Sequence, residues 1–221
     1  MLYSGFAATI CLILLAFASF AHLFLPWDKR ISKPFLLLLI AAYYVTSVRK
    51  PEILLIAALL TSWLGDVLLI PQGDKWFTAG GISFMISHFL FVALYAAHTD
   101  FSQINPAVII AAAAVYFGVS AVIIHLVRPY TPKSMVIPMF FYLLANSTMN
   151  IFALMQLLSE PCAGTAIAYA GAVLFFISDC SLFMVRNYKN GYFKSYFVVM
   201  LTYILGEFMI TQGIILLSMK H

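Results

Sequence analysis

Apolar residues in this chain come in long unbroken runs, without the alternation of strands or the half-polar stripes of surface helices. A helix that crosses a bilayer needs about 20 mostly apolar residues. On that measure the runs predict spans at 2–25, 34–48, 52–70, 78–97, 105–126, 134–158, 162–185 and 195–218. The second is the shortest, with room to extend back toward Ile31. Turn and charge clusters separate the runs: Pro26 to Arg30, Arg49 to Glu52, Pro71 to Lys75, Thr99-Asp100, Arg128-Pro129, Glu160-Pro161 and Arg186 to Lys194. The expected fold is an all-α membrane protein, a single domain over 1–221 built as a bundle of eight transmembrane helices.

Composition supports this. Of 221 residues, 64% are hydrophobic and 9% charged, against about 25% charged in a soluble domain. The mean hydropathy is +1.01. The spans use the whole length and leave no room for a soluble domain. The first run lacks a basic start and is too long for a signal-peptide core, so it reads as a permanent helix. Cys11, Cys162 and Cys180 lack metal or redox spacing.

The net charge of +4 sits in short loops, which reads as a topology signal and not as a nucleic-acid footprint. Nine of the twelve Lys and Arg residues fall in the loops after spans one, three, five and seven. The positive-inside rule then places both termini outside the cytoplasm. A faint repeat joins Trp63-Leu64-Gly65-Asp66 to Phe176-Ile177-Ser178-Asp179, each followed by a polar loop and a helix with a central polar pair, Ser87-His88 or Thr202-Tyr203. Two four-helix halves of this kind would form a parallel repeat about an axis along the membrane normal.

Five of the eight acidic residues also lie in or beside loops, but Asp66, Asp179 and Glu207 lie within spans. An Asp at mid-membrane costs about 2.5–3.5 kcal/mol, and no basic residue is expected within a span to offset it. Such acids are protonated, share protons, face a wet cavity or hold a cation. Two carboxylates close together in a dry site do not both ionise easily, an arrangement suited to acid–base chemistry. At 1.5 Å per residue, Asp66 and Asp179 come out roughly 5–10 Å inside the cytoplasmic boundary, and His88 and Glu207 roughly 14–18 Å. One pocket opening toward the cytoplasm would contain all four.

Polar stripes at helical spacing converge on that interior: Tyr196, Tyr203, Glu207 and Thr211; Tyr142, Asn146 and Asn150; Phe84, His88, Phe91 and Tyr95; and Ser62 one turn before Asp66. The second predicted span adds Tyr43, Tyr44 and Ser47. Simpler readings stand beside these. Ser62, Ser87 and Thr202 would serve equally as helix bridges, and Asn146 and Asn150 as interhelical glue. His88 would also suit a satisfied interior histidine, and Cys180 reads as packing. The chain has no GxSxG elbow, HExxH, zinc-spaced His/Cys cluster or phosphate-binding glycine loop. A metal held by Asp66, Asp179 and His88 would leave no motif.

The sequence resembles the YhhN, or lysoplasmalogenase-like, family of membrane proteins. The resemblance covers nearly the whole chain and rests on Gly65-Asp66 with Phe77 and Gly80, on Ser87-His88, on the run Gly171 to Asp179, and on Tyr203. Glu207 departs from the pattern, where a neutral polar group is expected. The resemblance implies an enzyme that cleaves the vinyl ether bond of a lysoplasmalogen, or a related lysolipid in the membrane, to a fatty aldehyde and a glycerophospho-ethanolamine or -choline. It implies no cofactor, and a location in the bacterial inner membrane or the animal endoplasmic reticulum. It makes Asp66 and Asp179 the catalytic pair, with His88, Tyr203, Glu207, Asn146, Tyr142 and Ser62 in support. Phe175, Phe176 and Phe183 near Asp179 favour it as the proton donor; Arg186 and Lys189 lie on the entry side, where they would attract a lipid phosphate, although a role in topology alone is the favoured reading of both. Two other readings of the buried acids are a proton-coupled carrier of lipid or small molecules and a metal-dependent lipid amidase or hydrolase.

Overall fold

The computed structural model describes residues 2–26, 28–188 and 195–220. Trp27 of the first loop and Lys189 of the last lie outside the described residues. The chain forms eight α-helices among the described residues: α1 (Leu2–Phe24), α2 (Lys29–Ser47), α3 (Ile53–Leu68), α4 (Asp74–Ala97), α5 (Pro106–Val127), α6 (Lys133–Ser159), α7 (Ala163–Asn187) and α8 (Tyr196–Ser218). Short 3₁₀ turns at Phe101–Gln103 and Arg128–Tyr130 join α4 to α5 and α5 to α6.

Six helices, α1, α4, α5, α6, α7 and α8, are long and apolar enough to cross a membrane. The expected second and third spans, α2 and α3, differ for physical reasons. The 16 residues of α3 rise only about 24 Å, less than the roughly 30 Å of a bilayer core. The 19 residues of α2 open with Lys29, Arg30 and Lys33, which shortens the apolar part.

Helix α2 starts five residues before its expected first residue, because Asp28 caps it by accepting from the Arg30 N–H at 3.0 Å. Pro34 then lies inside the helix, and His22 Nδ1 pairs with Ser32 Oγ at 2.7 Å to tie α1 to this first turn. The early start turns Lys33 from a loop residue into a helical one. Helix α4 also starts early, at Asp74. Gly73 makes the turn before it at φ 117°, a conformation that a side chain would strain.

Helices α6, α7 and α8 form the inside of the bundle, with 56% of their most apolar stretches buried, whereas α5 has 11% and α1 17%. The outer faces of α1 and α5 carry exposed Phe17, Ile110 and Val115, as a lipid-facing surface should. The closest helix pair is α7 with α8. A Cβ on Gly171 would lie 2.6 Å from the Ile210 nitrogen, and one on Gly213 2.5 Å from the Gly164 oxygen. Gly164 and Gly171 are seven residues apart, as are Gly206 and Gly213, so the small residues recur along one antiparallel seam and let the backbones touch. Neighbours pair off across the two halves: α3 packs on α4 as α7 on α8, α2 on α3 as α6 on α7, and α2 on α8 as α6 on α4.

Candidate active site

Asp66 lies two residues from the end of α3 and is 1% exposed. Tyr203 of α8 donates its hydroxyl to Asp66 Oδ2 at 2.8 Å. On the other oxygen, Lys33 Nζ stands 3.0 Å from Oδ1. This corrects the expectation that no basic residue within a helix offsets the buried acids. The Lys33 side chain is 20% exposed, so its stem runs along the protein while its end reaches the acid. Gly65 makes the adjoining wall: a Cβ there would lie 2.5 Å from the Phe84 ring. The Gly-Asp pair is therefore a packing requirement as well as a chemical one.

Asp179, 4% exposed, sits in the second half of α7. Its Oδ2 accepts from the Tyr142 hydroxyl at 2.8 Å and from Asn146 Nδ2 at 2.6 Å, both on α6. Asn150 Nδ2 donates to Asn146 Oδ1 at 3.0 Å, one turn on, which fixes which end of the Asn146 amide faces the acid. His88 Nε2 is 3.5 Å from the same Oδ2, and the His88 ring packs against Tyr142 and Phe175 at 5.2 and 5.1 Å between centroids. With its protein donors gathered on Oδ2, Asp179 presents Oδ1 to the cavity it lines.

Both aspartates line one cavity of about 140 Å³, together with Lys33, Arg186, Tyr196 and Tyr203. The Arg186 carbon Cζ lies 3.8 Å from the centroid of the Phe77 ring, and Nη2 is 3.2 Å from Asp74 Oδ1. An almost wholly apolar groove of about 500 Å³ adjoins it between α4, α6 and the end of α7. Leu69, Phe77, Phe84, Tyr142 and Leu182 are common to both spaces, so the groove ends where the acids begin.

Of the residues singled out from sequence, Asp66, Asp179, Tyr142 and Tyr203 line the cavity. His88 and Asn146 touch Asp179 without lining it. Ser62 is buried and bonded to Ser87 at 2.7 Å, and Ser87 donates to the Ala58 carbonyl at 2.9 Å, so this pair bridges α3 and α4. Glu207 is fully buried and lines neither space; its oxygens make no hydrogen bond of ordinary geometry. Ser62 is near enough to interact with it, but the short bond of Ser62 goes to Ser87. Cys180 is packed in the core. Among the described residues, no three His, Cys, Asp or Glu side chains gather as a metal site.

Sequence reasoning missed Lys33 because the charge run 29–33 reads as a loop. The available signal was Asp28, a good cap directly before that run.

The arrangement holds two buried carboxyl groups in unlike settings. One faces a cation and a phenol, while the other is bonded by a phenol and an amide on a single oxygen. Such a pair can give and take a proton on opposite sides of a bound molecule.

The family model of the YhhN family matches residues 6–214, nearly the whole chain. Neither a curated protein nor a solved structure matches it.

Proposed function

The chain belongs to the YhhN family, and from that premise we propose that it is an intramembrane hydrolase cleaving the vinyl ether bond of a lysoplasmalogen or a related single-chain lipid. The observation that carries this reading is that Asp66 and Asp179 line one small cavity at the end of an apolar groove.

The differing partners suggest the division of labour. Asp66, with Lys33 at Oδ1 and Tyr203 at Oδ2, is held as the carboxylate. Asp179, with Tyr142 and Asn146 on Oδ2, carries its proton on Oδ1 toward the cavity. Asp179 protonates the alkene carbon remote from the ether oxygen, giving an oxocarbenium ion. The Asp66 carboxylate stabilises that cation and takes a proton from the water that adds to it. In the collapse of the hemiacetal, Asp179 takes back the hydroxyl proton and Asp66 returns its own to the departing alcohol oxygen. Aldehyde and alcohol leave, and both acids regain their starting states. The step resembles glycoside cleavage in its cationic transition state and paired carboxyl groups.

Under this reading α2 and α3 complete eight spans in two parallel halves, supported by the way the helix neighbours pair off. Both termini lie outside the cytoplasm, in an inner or plasma membrane if the source is bacterial and in the endoplasmic reticulum if it is animal.

Purified protein incubated with a panel of lysolipids, with products followed by mass, tests the proposal. In heavy water the fatty aldehyde should carry deuterium on the carbon next to the carbonyl. No aldehyde from any vinyl ether lipid would refute the hydrolase reading. Substrate-driven proton flux in liposomes without product would favour the carrier.

A further inference from the structure

We propose that Lys33 and Arg186 form a subsite for the phosphate of a single-chain phospholipid, whose hydrocarbon chain enters sideways from the bilayer into the groove between α4 and α6. The reacting bond at its centre rests on the function proposed above; the subsite itself does not.

The order of chemistry along the two spaces is the first argument. Lys33 and Arg186 lie in the polar cavity with the two acids, and the groove beyond is apolar. A lysophospholipid has the same order along its bonds: phosphate, glycerol, ether oxygen, chain. Tyr142 stands at the junction, lining both spaces while donating to Asp179.

Charge is the second argument. Lys33 is offset by Asp66 at 3.0 Å. The Arg186 partner is Asp74, which does not line the cavity and has a 56% exposed side chain. Two cations, Lys33 and Arg186, line the cavity, and the Arg186 partner lies outside it, so a phosphate monoanion there meets two positive groups. The guanidinium, with Cζ 3.8 Å from the Phe77 ring centroid and Nη2 given to Asp74, has further N–H groups for contact with phosphate oxygens.

The third argument is access. Groove residues Ile82 and Phe89 of α4 and Ile137 and Phe141 of α6 are 47%, 54%, 67% and 52% exposed. In a bilayer those faces meet lipid tails, so the groove opens where single-chain lipids already lie.

The test is binding of a non-hydrolysable alkyl-ether lysophosphoethanolamine, compared with the alkylglycerol of equal chain length, to the full protein in detergent. The native protein should prefer the phospholipid by at least about tenfold, the scale of one charge-assisted contact. Arg186→Gln and Lys33→Gln should each erase about tenfold of that preference by weakening the phospholipid alone. Lys33→Arg should retain it. Gly81→Phe, at a helical glycine whose Cβ would meet only Tyr142 at 3.9 Å, should narrow the groove and weaken both ligands together. Melting temperatures show that each variant is folded. An unchanged preference in both Gln variants, equal loss of both ligands in them, or unchanged binding in Gly81→Phe would each overturn the proposal. Because the probe cannot react, binding with this preference but no aldehyde from vinyl ether lipids refutes the hydrolase alone. Aldehyde release without the preference refutes the subsite alone.

Discussion

On the proposed mechanism, replacing Asp179 by Asn takes away the transferable proton and keeps the shape of the side chain. The native Oδ2 accepts from Tyr142 and Asn146 at 2.8 and 2.6 Å. An amide oxygen in the same place accepts both bonds, and the amide nitrogen falls where Oδ1 faces the cavity. Shape and hydrogen bonds survive, so the melting temperature should stay near that of the native protein. The loss is the general acid. Proton transfer by a positioned side chain contributes about 10²–10⁴ in rate, which at 1.36 kcal/mol per decade is about 3–5 kcal/mol of transition-state stabilisation. Aldehyde release from a vinyl ether lysolipid should therefore fall at least a hundredfold in kcat, with lipid binding retained. The assay is aldehyde mass per unit time, beside a thermal melt in the same detergent. A folded Asp179→Asn protein that keeps more than a tenth of native kcat would show that the proton comes from elsewhere.

Asp66→Asn should also abolish turnover but with a lower melting temperature. It leaves Lys33 without its counter-charge, a cost between the ~1 kcal/mol of an exposed pair and the ~3–5 kcal/mol of a buried one, because Lys33 is partly exposed. An unchanged melt would contradict the ion pair. Tyr142→Phe takes one of two donors from Asp179 and should lower kcat by about fivefold, near 1 kcal/mol; no change in turnover would count against that bond. Gly171→Leu drives a side chain into the α8 backbone, where even a Cβ meets Gly206 oxygen at 2.7 Å, and should cut the yield of folded protein in size-exclusion profiles; a native profile would contradict the seam. Chelator should leave activity intact, since the Asp66 oxygens already face Lys33 and Tyr203; loss restored by one divalent ion would favour the metal-dependent reading.

Much of the helix pattern is legible in the chain. The runs that predict α1, α5, α6, α7 and α8 end within two residues of the helices themselves. The early starts of α2 and α4 are not legible from apolarity, because helices begin at caps and turns such as Asp28 and Gly73, outside the hydrocarbon. Asp66 and Asp179 stand out because an acid inside an apolar run is costly. Glu207 carries the same signal, yet it lies away from the cavity, since depth along a helix says nothing of which neighbour a face meets. Lys33 and Asp66 come from different helices, and no periodicity within either one announces their contact.

The glycine seam decides which parts of the site can move. Asp179 rides on α7, and Tyr203, the partner of Asp66, rides on α8. With backbones in contact at Gly171 and Gly206, these two helices have no side-chain cushion to compress and act as one stiff plate. A guest in the cavity therefore meets Asp179 and Tyr203 on a wall that does not yield, whatever the helices around it do.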